Sequence, residues 1–288
     1  MKRLKVRGSA TSLFSIMKGL NCPLTTAIDS YLLTEKDDEG RKHGFNSPSG
    51  IKDCVRSLYY VRKFYDCTNV IKPRTKRVFH NGKDVHTRIQ NCLIKSGLLL
   101  QEEPPVFNAE LQILGNADGL ALINGHLGVL EIKSINHCEY VGLLEPKPEH
   151  IKQASIYMYC FETIRQAIQS EDFCGEELAN KYYLSLDKSL KVKERKSRKQ
   201  GFLKMLNLIE DYKTTPIDSI DFLYENKNTQ EIKEFIVYWD ENIMQEIKSK
   251  YTFLNECIAK NRIPDRPEGS TKSGSCKNCK YKGVCYSE

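Results

Sequence analysis

Residues 111–134 read LQILGNADGLALINGHLGVLEIKS and decide the fold, because they contain two apolar runs that are joined by Asn124-Gly125. Asn-Gly is the preferred centre of a two-residue β-hairpin turn, since both residues accept the positive φ angles that this turn requires. With the turn at this position, Ile123 pairs with His126, and the pairing continues residue by residue toward both ends. The sequence therefore predicts an antiparallel hairpin with a defined register.

This register places the carboxylates of Asp118 and Glu131 directly opposite each other, with Cβ atoms about 5 Å apart. Lys133 lies two residues beyond Glu131 and therefore on the same face, whereas Ile132 points into the core. Two opposed carboxylates repel unless a cation neutralises them, and oxygen ligands suit Mg²⁺ or Mn²⁺. A metal-activated water beside an ammonium is an arrangement for phosphodiester hydrolysis. A surface ion cluster, in which Lys133 neutralises one acid, is the alternative.

The rest of the chain alternates between helical and extended patterns. Helices are expected over residues 12–33, 47–66, 82–99, 148–170 and 240–260, and strands over 109–135, 181–186 and 234–239. Interleaved helices and strands predict an α/β (α+β) fold, with a mixed central sheet that is flanked by helices. We expect a helical N-terminal extension over 1–45, a main domain over 46–261 and a C-terminal cysteine segment over 262–288.

The composition is that of an ordinary globular protein, with 40% hydrophobic and 28% charged residues in 288. Lys and Arg number 44 and Asp and Glu 37, and the net charge of +7 fits a polyanionic partner without requiring one. No apolar run approaches the about 20 residues that a membrane-spanning helix needs, and the N-terminus has no sustained apolar run of a signal peptide. We therefore expect a cytoplasmic protein that has no membrane partner.

Three of the eleven cysteines, Cys276, Cys279 and Cys285, lie in a polar, lysine-rich tail. A reducing compartment disfavours disulfides, and the polar neighbours disfavour burial in a core, so the pattern indicates metal binding. Three thiols leave one ligand missing for a Cys₄ zinc site or a [4Fe–4S] cluster. Eight other cysteines compete for that place, and Cys54 is a good candidate because Arg, Lys and Tyr residues surround it.

Residues 188–199 carry seven positive charges in twelve residues. Proteins that bind single-stranded nucleic acid combine a basic path with aromatic stacking platforms. The candidate contact residues are Arg56, Tyr60, Lys193, Arg195, Lys196 and Arg198. A mobile, solvated loop is the alternative interpretation of this basic run.

Several motifs together resemble one known family. They are Asp118 followed by Glu131-Ile132-Lys133, Gly82-Lys-Asp-Val-His86, Gln153-Ala-Ser-Ile-Tyr157, the run from Ser47 to Cys54, and the three C-terminal cysteines. In this order they resemble the PD-(D/E)XK nucleases, and specifically the RecB-like exonucleases of the CRISPR-associated iron–sulfur branch. The resemblance covers most of the chain, from about Ser47 to Cys285.

The resemblance implies a role for each matching residue. Asp118, Glu131, the carbonyl of Ile132 and His86 would be ligands of the catalytic metal, and Lys133 would position or activate water. Gln153 would steady the region of Lys133, and Tyr157 would face DNA. The resemblance also implies that the fourth cluster thiol is that of Cys54, so that an iron–sulfur clasp would join both ends of the main domain.

The sequence thus predicts a Mg²⁺- or Mn²⁺-dependent DNA exonuclease with a [4Fe–4S] cluster, acting preferentially on single strands. The protein would act in DNA repair, recombination, phage replication or CRISPR adaptation, and proteins of those pathways are its possible partners. The first alternative is a DNA-binding or adaptor subunit that keeps the nuclease fold and depends on a partner for activity. The second is a structural protein that binds zinc.

Overall fold

The computed structural model of the protein describes residues 23–35, 44–66, 71–267, 276 and 279–287. The helices are α1 Pro23–Thr34, α2 Val55–Arg62, α3 Pro73–Lys95, α4 His137–Val141, α5 Pro148–Ile168, α6 Gly175–Ser185, α7 Val192–Asp211, α8 Glu241–Ala259 and α9 Lys282–Ser287, and a 3₁₀ turn spans Pro48–Lys52. The strands are β1 Leu99–Glu102, β2 Pro105–Asn108, β3 Ile113–Asn116, β4 Gly119–Ile123, β5 His126–Ile135, β6 Ser219–Asn226 and β7 Ile232–Tyr238.

Local sequence signals explain where several helices begin. Pro73 and Pro148 occupy the first turn of α3 and α5, where a missing backbone N–H is tolerated. Asp240 caps α8, because its carboxylate accepts a hydrogen bond from the backbone N–H of Asn242 at 2.8 Å. The starts of these helices can therefore be predicted from the local sequence.

The central sheet has five strands in the order β1-β4-β5-β6-β7, and β2 and β3 form a separate two-stranded sheet. Only β5 and β6 pair in parallel within the central sheet, while its other neighbours are antiparallel. The connection between these two strands contains helices α4 to α7. The predicted mixed sheet with flanking helices is therefore confirmed.

The register of the β4–β5 hairpin is also confirmed. Ile123 pairs with His126, and the ladder continues to Gly119 opposite Leu130. Asn124 and Gly125 adopt φ angles of 52° and 82°, as the predicted turn requires. Asp118 comes directly before Gly119, and Glu131 comes directly after its partner Leu130. The hairpin therefore brings Asp118 and Glu131 close to each other.

The two faces of the sheet pack against different helices. On one face, Val85 and Ile89 of α3 pack with Leu130 and Ile132 in a small apolar cluster. On the other face, α5 closes the main core, to which Val129 contributes. Since side chains alternate along a strand, Glu131 and Lys133 point toward α5, together with Val129.

Some predicted elements differ from the observed ones. The expected strand over 181–186 is wrong, because residues 181–185 form the C-terminal end of helix α6 and Leu186 is its C-cap. Tyr182 stacks on Phe202 at 4.5 Å between ring centroids, so the pairing of α6 with α7 decides the conformation. Strand β6 was not predicted, and most of the basic run 188–199 forms the first turns of helix α7 instead of a loop.

The predicted helices over 82–99, 148–170 and 240–260 are confirmed in type and approximate position. The first begins earlier, at Pro73, and its residues Cys92 and Ile94 are exposed. In the N-terminal region α1 begins at Pro23, whereas the expected helical residues 12–22 lie outside the described residues.

A buried guanidinium holds distant parts of the chain together. Arg62 donates hydrogen bonds to the side-chain oxygens of Asn46 at 2.8 Å, Asn255 at 2.9 Å and Gln112 at 2.6 Å. Burial lowers the pKa of Arg62 to about 10. The network joins the segment before the 3₁₀ turn, the β2–β3 hairpin and helix α8. None of the described helices is both long and apolar enough to span a membrane.

The hairpin turn is testable by Gly125→Ala. Alanine at a φ of 82° is strained, so we expect the free energy of unfolding to fall by about 1 kcal/mol, as measured by urea denaturation. The matched control is Gly201→Ala in helix α7, where a new Cβ would lie 3.9 Å from Pro105. This control should keep or gain stability because alanine favours helices. Equal losses in both variants would contradict the observed turn geometry.

Candidate active site

The backbone of the hairpin holds the carboxylate of Asp118. The Ile132 N–H donates to Asp118 Oδ2 at 2.7 Å, which fixes the side chain across the two strands. The Gln90 side chain donates to the Asp118 carbonyl at 2.8 Å from helix α3. Asp118 is therefore positioned from both the neighbouring strand and the helix below it.

Glu131 is a nearly fully buried carboxylate, with 1% of its surface exposed. It forms an ion pair with the ammonium of Lys133, but neither of its oxygens accepts a hydrogen bond of good geometry among the described residues. Burial raises the pKa of Glu131, the nearby Asp118 raises it further, and Lys133 opposes both effects. A buried carboxylate with unused lone pairs is suited to contact a cation.

Helix α3 brings His86 to the same place. Its Nδ1 lies 3.3 Å from Asp118 Oδ1. Burial lowers the pKa of His86, but the hydrogen bond and charge of Asp118 outweigh it, so the net shift is upward. The structure therefore places His86, which the family resemblance implies as a metal ligand, in contact with Asp118.

Helix α5 supplies a second line of contacts. Lys133 Nζ lies 3.4 Å from Gln153 Oε1, and Gln153 Nε2 donates to the Tyr157 hydroxyl at 2.8 Å. Burial raises the pKa of Tyr157 well above its ordinary value, and the carboxylates of Glu131 and Asp118 act in the same direction. Tyr157 therefore stays protonated. Successive side-chain contacts connect Glu131 to Tyr157 through Lys133 and Gln153.

Sequence reasoning missed two further residues beside this line. His150 Nδ1 lies 2.7 Å from the hydroxyl of Tyr224, and the two rings stack. Burial, followed by the charge of Lys133, lowers the pKa of His150 to about 4, so the imidazole is neutral near pH 7. His150 lies three residues before Gln153 on one helix, which was an available signal. Tyr224 lies on β6, a strand that was not predicted.

The side chains of Asp118, Glu131 and His86 offer carboxylate oxygens and one imidazole, and these donors suit a hard divalent cation. Among the described residues, no three His, Cys, Asp or Glu side chains already stand in an arrangement that holds a metal ion. The Lys133 ammonium instead neutralises the carboxylate that a cation would contact.

A second polar cluster lies where the C-terminal segment meets helix α2. Cys54, Cys276, Cys279 and Cys285 line one pocket, together with Ser57 and Tyr60. Burial raises the pKa of Cys54, the Ser57 N–H opposes this at 3.3 Å, and the three other thiols raise the pKa again. The structure therefore brings Cys54 close to three cysteines that lie more than two hundred residues later in the sequence.

Tyr60, one of the predicted DNA contacts, lines this pocket, and a second predicted contact, Arg56, lies next to it. Tyr60 is fully buried, and Arg56 donates to the Pro264 carbonyl at 2.9 Å. The guanidinium of Arg56 also lies over the Tyr60 ring, 5.6 Å from its centroid. In the described structure both residues support the cysteine pocket instead of lining an exposed path.

The basic residues of helix α7 divide into two groups. Arg195 lies over the Tyr183 ring at 4.4 Å, and Arg198 pairs with Glu194 at 2.9 Å. Lys193 and Lys196 are exposed on the same helix. The two lysines therefore remain the better candidates for contact with a polyanion.

No family model and no curated protein matches the chain. Among solved structures, the alkaline exonuclease LHK-Exo from Laribacter hongkongensis is 14% identical and covers 76% of this chain and 90% of its own, with a TM-score of 0.45. Its complex with dAMP is 15% identical, with the same coverage and a TM-score of 0.46. The structure of SSO0001 is 13% identical and covers 92% and 97% of the two chains, with a TM-score of 0.45.

The ion pair at the centre of the site is testable by a double-mutant cycle. At a pH above the raised pKa of Glu131, Lys133→Met leaves this buried charge unpaired, so we expect it to lower the free energy of unfolding by about 3 kcal/mol. Adding Glu131→Gln removes that charge and should restore most of the loss. Since burial raises the pKa of Glu131, the loss in Lys133→Met should shrink as the pH falls and the carboxyl is protonated. A loss independent of pH and of the second substitution would contradict the pairing.

Proposed function

We propose that this protein is a metal-dependent DNA exonuclease of the PD-(D/E)XK type, similar to the RecB-like exonucleases. The observation that carries the proposal is the buried Glu131, which lies near Asp118 and beside Lys133 and accepts no well-formed hydrogen bond from the residues that the structure describes. A fold gains no stability from burying such a charge, so a functional role explains its position. DNA repair, recombination, phage replication and CRISPR adaptation are the processes in which it would act.

The metal in this proposal is Mg²⁺ or Mn²⁺. Asp118, Glu131, the Ile132 carbonyl and His86 would hold it, and their oxygen and imidazole donors suit either ion. A divalent ion bound there supplies an acidified water and stabilises negative charge on a phosphate.

The remaining residues of the site would hold the reacting groups in position and balance their charge. Lys133 carries a fixed positive charge on the same face as Glu131, where it orients a water or a phosphate oxygen. Gln153 holds the Lys133 ammonium from one side and the Tyr157 hydroxyl from the other. This contact restricts the lysine to the position in which it faces the scissile phosphate.

For the cysteine pocket we propose a [4Fe–4S] cluster, with zinc as the less favoured alternative. Burial and the three neighbouring sulfurs raise the pKa of Cys54, and a cation bound among the four sulfurs would compensate the charge of the thiolates. Because the pocket joins helix α2 to the C-terminal segment, the cluster would be a structural clasp. Such a clasp is the feature expected of the CRISPR-associated iron–sulfur branch.

The nuclease proposal is tested on anaerobically purified protein with end-labelled single- and double-stranded DNA and either Mg²⁺ or Mn²⁺. Wild type should degrade DNA, single strands faster, and the position of the label gives the polarity. Glu131→Ala should lower the rate at least about a hundredfold. The matched control, Glu145→Ala, removes an exposed carboxylate and should leave the rate unchanged. If cluster-loaded wild type degrades neither substrate, the partner-dependent adaptor becomes the better interpretation.

The cluster proposal is tested by colour and metal content. Wild type should absorb near ~400 nm and contain iron, and Cys54→Ser should lose both. Cys174→Ser, which changes an exposed cysteine outside the pocket, is the control and should retain both. A colourless protein with stoichiometric zinc would instead support the zinc site.

A further inference from the structure

The segment that carries Cys54 is a short connection between two helical elements. The 3₁₀ turn ends at Lys52, and helix α2 begins at Val55. Asp53 and Cys54 lie between them with extended backbone angles. Cys54 also caps helix α2, because its sulfur accepts a hydrogen bond from the Ser57 N–H. The backbone of this connection therefore decides where the Cys54 sulfur lies in the cysteine pocket.

A lysine from a distant helix holds this backbone. Outside regular secondary structure, buried carbonyl groups need donors from elsewhere in the protein. The ammonium of Lys250, on helix α8, donates hydrogen bonds to the carbonyls of Ile51 and Asp53, to the latter at 2.7 Å. The Asp53 carbonyl belongs to the peptide group that leads into Cys54. The contact therefore restrains the backbone of a cluster ligand without touching its sulfur.

Helix α8 contacts the same segment at two other places. The Tyr251 hydroxyl donates to the Ser47 carbonyl at 3.1 Å. The Asn255 side chain accepts a hydrogen bond from that of Asn46 at 3.1 Å. Residues 46–54 are thus held along helix α8 by these two contacts and by the Lys250 contact. Of the three, only the Lys250 contact contains a charged group.

The charge of Lys250 also acts on the cysteine pocket. Burial lowers the pKa of Lys250, whereas the charges of Asp53 and Cys54 oppose this shift. A thiolate at Cys54 and the ammonium of Lys250 therefore attract each other. The net charge around an iron–sulfur cluster helps to set its reduction potential. A positive charge beside the cluster favours the reduced state, because that state is the more negative one.

We propose that Lys250 is a positioning residue of the cysteine pocket, which holds the backbone of residues 51–53 so that Cys54 reaches the other three sulfurs and whose charge stabilises the reduced cluster. The proposal rests on the [4Fe–4S] cluster proposed above and is independent of the nuclease activity. A contact that only supports the fold would change how long the cluster is retained. A charge that acts on the cluster also changes its reduction potential, so the potential separates the two roles.

The experiment uses the full-length, cluster-loaded protein under anaerobic conditions and measures two quantities. One is the rate of iron release to a ferrous chelator, and the other is the midpoint potential from a redox titration of the absorbance near ~400 nm. Lys250→Met removes the ammonium and keeps an apolar stem. We expect iron release to be about tenfold faster. The reduction equilibrium should shift about tenfold toward the oxidised cluster, which is about 59 mV for one electron.

Three further variants separate position from charge. Tyr251→Phe removes the hydrogen bond to the Ser47 carbonyl without a change of charge, so it should speed iron release and leave the potential unchanged. Lys250→Arg keeps a donor and the charge and should keep the potential of wild type. The matched control is Lys248→Met on the same helix, since Lys248 lies over the Tyr159 ring at 4.9 Å and not at the Cys54 segment. It should match wild type in both quantities, and melting temperatures verify that every variant is folded.

The outcomes separate this proposal from the cluster itself. If wild type holds the cluster and folded Lys250→Met matches Lys248→Met in both quantities, the role of Lys250 is overturned and the cluster stands. Faster release at an unchanged potential overturns the effect of the charge. If Lys250→Met is folded but holds no iron, a loaded Lys250→Arg supports the proposal and an empty, folded one overturns it. A colourless wild type overturns the cluster and this proposal together, whereas the nuclease assay is unaffected by that result.

Discussion

A charged carboxylate buried inside a sheet is the constraint around which the rest of this structure is arranged. Glu131 lies on β5 with 1% exposure, and its charge is compensated by Lys133, two residues further along the same strand. The compensation is incomplete, because no well-formed hydrogen bond reaches the carboxylate among the described residues. Natural folds rarely retain such a group without a function, since apolar residues of similar volume are as stable or more stable.

Two layers of contacts keep this charge in place. On one face of the sheet, helix α3 brings His86 and Gln90 to Asp118. On the other face, helix α5 holds Lys133 through Gln153. The site therefore lies where residues of both helical layers meet, and Tyr157, at the end of these contacts, also lines a neighbouring cavity.

Long-range contacts also join the two ends of the described chain. The Arg62 network connects Asn46 to Asn255, and the four cysteines connect helix α2 to the C-terminal segment. Lys280 lies in that segment and reaches the cavity wall. The closure of the fold and the wall of this cavity are thus linked, because one segment contributes to both.

The sequence by itself determined the hairpin and what it carries. An Asn-Gly turn and the two-residue period of strands are local rules, so the opposition of Asp118 and Glu131, and the common face of Glu131 and Lys133, followed from the residues alone. The strongly periodic helices and the capping signals were predictable for the same reason. Only the tertiary structure decided that residues 181–185 are helical and that β6 completes the sheet beside β5. Those features depend on stacking between distant rings and on parallel pairing across a long connection, and neither is encoded in a local pattern.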